Sequence, residues 1–408
     1  MKKLACSYRI KRFYQTGTKN RYMKLFLLSF SLVLCLSSCW SQRDISSLSI
    51  VIGTALDATD NPEELSLTAQ VVKPTEIGSN SGGESSSGGG QAYVNITQSA
   101  NSMLPSVRAM THSQSRKLYF AHNEILIFSD ELAKTNILDP MDPFTRDYET
   151  RMDVQMMISR GKAAEILDQN NELEKLPALY ISGMIKNQKY NSETVIVTLR
   201  DFLIATLSES AAPIAPIIEI FEEDDGNKLL RLDGTAVFQD GKMIGELDQK
   251  ETKGLLFVLN QSSAGVNTLE TPAGQVVLET LSTKTKLVPV LAEDGNIRMK
   301  VQIKENVILQ SNETREDMTT LENIKMLEEL LAETTRASID AAVKKAHLLS
   351  ADIFKFGEAI YIKYPKIWKE MKDQWDVKFS EVGVDVEIDT HVHASGGLTK
   401  PILPGGYS

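Results

Sequence analysis

The sequence predicts an α+β protein of several domains, with mixed sheets, packed helices and a long helix in the C-terminal half. Two observations carry that expectation. Period-two apolar runs recur along the chain, alternating with helical spacing up to about residue 210. Beyond that point come strands, one long amphipathic helix and a closing strand, the order of a layered α+β domain.

Leu48, Ile50 and Ile52 alternate ahead of Gly53-Thr54-Ala55-Leu56-Asp57, and Leu65, Leu67, Ala69 and Val71 repeat the pattern. The two strands can pair across Asp60-Asn61-Pro62. Residues 78–90 are almost all Gly and Ser and read as a flexible loop; no Gly-Lys-Ser/Thr follows that would make them a phosphate cradle. Met103, Leu104, Val107 and Met110 suit a short helix within 99–110, with Pro105 in its first turn. Arg116 to Phe128 reads as extended chain centred on Ile125-Leu126-Ile127-Phe128. Ser129-Asp130-Glu131 then starts a helix, because a Ser with acidic neighbours satisfies free N–H groups. Asp142-Pro143 reads as another helix start with proline at its first position. Residues 153–158 form a strand, and Gly161 precedes a helix bearing Ala163, Ala164, Ile166 and Leu167.

Residues 208–228, rich in Ser, Pro, Glu, Asp and Gly, mark a linker. After it, Ala236-Val237-Phe238 and Met243-Ile244 flank Asp240-Gly241, a hairpin signal. Strands are expected at 276–281, 286–290 and 299–309, and a helix from Thr320 to Ser350. Pro365 starts a short helix, and Val382, Val384, Val386, Ile388, Thr390 and Val392 share one face of a final strand. The expected division is a signal peptide at 1–38, an N-terminal α/β region of one or two domains at 39–207, the linker at 208–228 and a C-terminal α+β domain at 229–408.

Leu25 to Leu36 is apolar but too short to span a bilayer comfortably, and it follows a basic stretch. Leu36-Ser37-Ser38-Cys39 then looks like a lipobox, which makes Cys39 the expected lipidation site. Translation from Met1 or from Met23 would give the same mature chain. All three cysteines, Cys6, Cys35 and Cys39, lie at or before this point, so the body of the chain has none for a disulfide or a thiolate metal site. Eight of the 44 basic residues and none of the 54 acidic ones precede Cys39, leaving a formal charge of −18 beyond it. That excess disfavours nucleic-acid binding and electrostatic docking on anionic lipid.

Catalytic signals are scarce. The five histidines are His112, His122, His347, His391 and His393. His391 and His393 share a strand face and could form half a metal site, but no third ligand is near in sequence. No Gly-x-Ser-x-Gly elbow, His-Glu-x-x-His pair or dinucleotide fingerprint occurs. The expectation is a chain with no catalytic residues, no metal and no cofactor.

Four stretches together resemble the Ger(x)C family, the lipoprotein C subunits of nutrient germinant receptors in endospore-forming bacteria. They are Cys39-Trp40-Ser41-Gln42-Arg43-Asp44-Ile45 with Ile50 to Asp57; Ser115 to His122 continuing to Ala133; Gly234 to Phe238 with Lys242 to Leu247 and Glu251 to Gly254; and Ala351 to Gly357 with Tyr364 to Trp368 and Trp375. Ala121 stands where the family usually has glycine, and Ser99 to Met103 replaces its glycine-threonine entry to the helix. The resemblance implies a three-domain lipoprotein on the outer face of the spore inner membrane, working with a multi-span A subunit and a transporter-like B subunit. It implies no enzymatic activity. Trp40, Arg43, Asp44, Arg116, Tyr119, His122 and Glu124 are the expected structural or partner contacts. A solute-binding lipoprotein serving a transporter is the alternative, and it would need an aromatic-lined pocket between lobes.

Overall fold

The computed structural model describes Met23 and residues 26–29, 45–77, 91–146, 149–171, 173–293 and 295–393. Cys39, Trp40, Arg43, Asp44 and the loop at 78–90 lie outside the described residues. The chain divides between Leu48 and Ser49 into two units. In the first, residues 26–29 are helical and Ile45–Ser47 form a 3-10 turn. The second carries both sheets.

The first sheet is built from β1 (Leu48–Ala58), β2 (Leu65–Val72), β3 (Tyr93–Ala100), β4 (Lys117–Tyr119), β5 (Ile125–Ser129), β6 (Gln155–Ser159), β7 (Ile214–Glu222), β8 (Lys228–Gln239) and β9 (Lys242–Leu247). Its order is β3-β2-β1-β5-β6-β7-β8-β9, with β4 paired to β1. The central strands β1, β5, β6 and β7 run parallel, and antiparallel pairs complete both flanks. Helices cover both faces of this centre, which is why Ile125-Leu126-Ile127-Phe128 is an unbroken apolar run. Ile125 and Ile127 pack towards α5 (Ala163–Leu167) and α6 (Pro177–Asn191). Leu126 and Phe128 pack on the opposite side, towards α2 (Met103–Ser113), α3 (Asp130–Thr135), α4 (Leu138–Arg146) and α7 (Leu199–Thr206). The short α1 (Pro74–Ile77), first in chain order, follows β2.

Two local expectations need correction. Asp142-Pro143 does not open a helix, because α4 already begins at Leu138, whose N–H is taken by Asn136 Oδ1 at 2.9 Å; Pro143 lies inside it. Residues 208–228 are not a linker gap either. They contain β7, which buries Ala215, Ile217 and Ile218 between β6 and β8. Only its far end, the acidic turn before Lys228, matches the composition that suggested a boundary. The Asp240-Gly241 hairpin is present, both residues having positive φ (49° and 77°), as a type I′ turn requires.

The second sheet has the order β10-β11-β12-β13, comprising Val266–Thr271, Gly274–Leu291, Ile297–Asn312 and Gly383–His393. β11 joins the two strands expected at 276–281 and 286–290, and a register shift at Thr280/Ser282 marks where the pattern broke. Between the sheets lie α8 (Gln249–Val258) and the long α9 (Leu321–Leu349). Met299, Val301 and Ile303 of β12 belong to the same apolar core as Leu255 of α8, Ile339 of α9 and Leu126 of the first sheet. The two sheets therefore share a core. The chain closes with α10 (Phe356–Lys363), α11 (Pro365–Met371) and α12 (Trp375–Phe379) ahead of β13.

Two contacts fix α9. At Gly254 of α8, a Cβ would stand 2.1 Å from the Ser338 carbonyl oxygen, so the helix backbones touch. Below α9, Glu305 of β12 is fully buried: Oε2 accepts from Thr335 Oγ1 at 3.3 Å, and Oε1 has no partner. Its register neighbours Thr283 and Thr390 also hold buried, unpaired hydroxyls. Lys253 of α8, itself depressed by burial, donates to Asn267 Oδ1 at 2.7 Å. Burial pushes Glu305 up to about 7, against the opposing pull of the Thr335 hydroxyl and the Lys253 charge.

Two outcomes follow from this packing. Gly254→Ala should lower stability by about 1–3 kcal/mol in urea unfolding, whereas Gly183→Ala, in open space on α6, should not. Because the folded Glu305 carboxyl titrates above its ordinary 4.5, its ionisation removes stability as pH rises from about 4.5 through 7. Glu305→Gln should thus raise Tm more at pH 8 than at pH 5; equal shifts at both pH values would refute the argument.

Candidate functional site

In an open sheet with a parallel centre, ligands usually settle beyond the carboxyl ends of the strands. Here that edge carries Asp57 from β1, Ser129 from β5 and Ser159 from β6, with α3 and α5 starting just beyond. The free N–H groups of a helix start would attract an anion. The chain supplies its own. Asp57 is buried and accepts from Ala163 N–H at 2.6 Å and Ala164 N–H at 3.0 Å, the first two residues of α5. Burial raises its carboxyl above the usual range, against those two N–H groups and the nearby Lys162.

The neighbouring positions are filled likewise. Ser129 Oγ accepts from Leu132 N–H and from Ala58 N–H, both at 3.3 Å, joining the start of α3 to the end of β1. Asp130 accepts from Gly161 N–H at 3.2 Å. Arg160 pairs with Glu219 and Glu246, both at 3.0 Å. A cleft of about 440 Å³ remains between Asp130, Lys134, Arg160, Met243, Ile244 and Glu246. Its wall is apolar side chain and ion pair, without an aromatic ring. A second cleft, of about 310 Å³, is lined by Ile196, Phe202, Ile204 and Leu259, with Lys355 and Glu358 among its charged residues.

The residues expected between 116 and 124 separate in role. Arg116 and His122 are exposed, and His122 meets Tyr119 edge to face at 5.8 Å between ring centres. Glu124 Oε2 accepts from Ser182 Oγ at 3.1 Å and from Lys186 Nζ at 3.3 Å, tying the entry of β5 to α6. The buried residue of this turn is Asn123, whose Oδ1 accepts from Thr54 Oγ1 at 3.2 Å while its amide nitrogen lacks a partner. His391 and His393 lie edge to face at 4.7 Å, and His391 Nδ1 is 3.6 Å from Glu328. Among the described residues, no group of three His, Cys, Asp or Glu is arranged to hold a metal ion.

Asp352 is a second internal anchor, absent from the residues singled out in the sequence. It follows α9 and is buried, with four donors: the N–H groups of Phe354, Phe356 and Gly357 at 3.2, 3.0 and 2.8 Å, and Trp375 Nε1 at 3.2 Å. Its own carbonyl accepts from Ala212 N–H at 2.9 Å, which pins the segment entering β7. Burial raises the carboxyl to about 6 even against these donors. Trp368 and Trp375 meet edge to face at 5.2 Å above it. The sequence signal was present in Ala351-Asp352-Ile353-Phe354-Lys355-Phe356-Gly357, but its partners are spread over 20 residues and more.

Replacing Asp57 by alanine strands two N–H donors, that of Ala163 buried and that of Ala164 half-buried. A loss of roughly 2–4 kcal/mol is expected, measured as a lower midpoint in thermal or urea unfolding. A midpoint unchanged within error would show that the donors find water instead.

Comparison with known proteins places the chain. Residues 41–220 match the family described as spore germination protein N-terminal domain. Residues 233–396 match spore germination B3/GerAC like, C-terminal. The junction of the two falls at the β7–β8 hairpin, inside the first sheet. Spore germination protein KC of Bacillus subtilis (strain 168) is 26% identical over 399 residues, covering 93% of this chain and 96% of that protein. Spore germination protein B3 of the same organism is 24% identical over 382 residues, covering 92% and 98%. The crystal structure of the GerBC protein shares the fold, with a TM-score of 0.55 at 20% identity, over 86% of this chain and 99% of that one. The mixed α+β architecture read from the sequence is the fold of that relative, and the chain belongs to the Ger(x)C family of spore germination proteins, the C subunits of germinant receptors.

Proposed function

We propose that this chain is a lipid-anchored, non-catalytic subunit of a nutrient germinant receptor, held through diacylglyceryl-Cys39 on the outer face of the spore inner membrane. It acts by contact with a multi-span A subunit and a transporter-like B subunit. The observation that carries the non-catalytic reading is Asp57: at the edge where a parallel sheet would seat an anionic ligand, the chain's own carboxyl already bonds the start of α5. Among the described residues no helix is long and apolar enough to cross a membrane. The anchoring reading rests on Leu36-Ser37-Ser38-Cys39 alone. Two acyl chains at one cysteine give stable attachment without a basic surface around it, and confinement to the membrane plane raises the effective concentration beside integral partners.

The test is extraction of spore inner membranes in mild detergent. The chain should co-purify with the two integral subunits, and mass spectrometry should find diacylglyceryl on Cys39. Cys39→Ala should release it from the membrane and reduce the response to nutrient. An unmodified thiol on a soluble chain that still supports germination would overturn the proposal. Saturable nutrient binding by the isolated chain would favour the solute-binding alternative.

A further inference from the structure

We propose that the free edge of β3 pairs with β3 of a second copy of this chain, joining two first sheets into one. β3 ends the strand order, so one side of its backbone has no partner strand among the described residues. Which residues face that side follows from the register. The Lys73 N–H donates to the Ala92 carbonyl at 2.7 Å, and the β2–β3 pairing runs on without a shift. Bonded pairs alternate in an antiparallel ladder, so Val94, Ile96, Gln98 and Ala100 bond back to β2. Tyr93, Asn95, Thr97 and Ser99 send their N–H and C=O groups to the open edge. Among the described residues, the partner seen for these groups is Gln98 Nε2, which donates to the Ser99 carbonyl at 3.2 Å.

Proteins ordinarily blunt a free edge with charge, proline, a bulge, short length or a covering element. The outer strands of the two sheets are β3, β9, β10 and β13, and three of them carry these devices. β9 and β10 have six residues each, with Lys242, Glu246 and Glu270 among them. β13 is longer but holds Asp385, Glu387 and Asp389, and α9 reaches over it. Arg336 Nη1 donates to the Val386 carbonyl at 2.6 Å, and Glu328 Oε1 accepts from the Val392 N–H at 3.0 Å. β3 has eight residues with no charge, proline, glycine or bulge. An incoming strand must match its outward bonding groups and its alternation, and β3 itself does both. Pairing two copies about a two-fold axis through Ile96 sets Asn95 against Thr97 and Tyr93 against Ser99, each exchanging backbone bonds. Ile96 meets Ile96 in a non-hydrogen-bonded pair, where side chains approach closest, and Val94, 38% exposed, lies against Gln98. Each copy has a formal net charge of −10, and this uncharged strip lets them meet with no like charges opposed along the strand. Asp168, the carboxylate bonded to β3, is engaged by Asn95 Nδ2 at 3.2 Å.

A single strand pair buries less than a standard interface, so the experiment traps it covalently. The full chain, with Cys6, Cys35 and Cys39 changed to serine, receives one new cysteine and is oxidised with copper-phenanthroline in mild detergent. Ile96→Cys should give a disulfide-linked dimer, because this residue faces itself across the axis. Val94→Cys or Gln98→Cys alone should give about tenfold less, their copies lying beyond disulfide reach. The same two proteins mixed should cross-link to each other. Thr97→Pro removes an N–H that points to the open edge and bonds nothing in β2. That protein should keep its fold by circular dichroism, while its Ile96→Cys cross-link falls about tenfold. No dimer at 96, or equal yields at 94, 96 and 98, overturns the proposal. So does a cross-link at 96 that folded Thr97→Pro leaves unchanged. A cysteine-to-amine reagent in spore membranes that joins position 96 only to a different protein also overturns it, giving the edge to another partner.

Discussion

The backbone contact between α8 and α9 at Gly254 and Ser338 is the constraint on which the architecture depends. α8 leaves the first sheet directly after β9, and α9 lies on the inner face of the second. Only when these helices touch can Leu255, Ile339 and Met299 share one core. A side chain at 254 would hold the helices apart and open a void along their length, and close-packed interiors tolerate voids poorly. The family's two matched segments are therefore not two independent bodies. Their junction runs through a hairpin of the first sheet, and their apolar residues close over a common interior.

Buried carboxyls do structural work in this protein. Asp57 and Asp352 each take backbone N–H groups at a helix start or turn, joining segments that are distant in the chain. Both lie in stretches that resemble the Ger(x)C pattern. In both stretches the carboxyl anchors a turn or helix start, which needs a carboxyl of fixed position. Glu305 differs, because one of its oxygens has no donor. Its neighbours Thr283 and Thr390 hold unpaired hydroxyls in the same row, so the inner face of the second sheet carries a polar defect beneath its longest helix.

What the sequence determined by itself was local. The Asp240-Gly241 turn, the Ser129 cap and the helical spacing across 321–349 are set by φ preference, hydrogen-bond reach and period, all within a few residues. Composition misled where the surroundings of a strand are polar. β7 was hidden between Pro213 and an acidic turn because its burial comes from strands β6 and β8, far away in sequence. α6, α7 and α8 escaped notice because their apolar faces are defined by what packs on them. Tertiary structure alone decided the partners of Asp57 and Asp352, the orphan oxygen of Glu305, and the outward turn of Ile362 beside a buried Ile360. Each depends on which elements meet in space. Burial and hydrogen-bond satisfaction belong to the assembled core and cannot be assigned residue by residue along the chain.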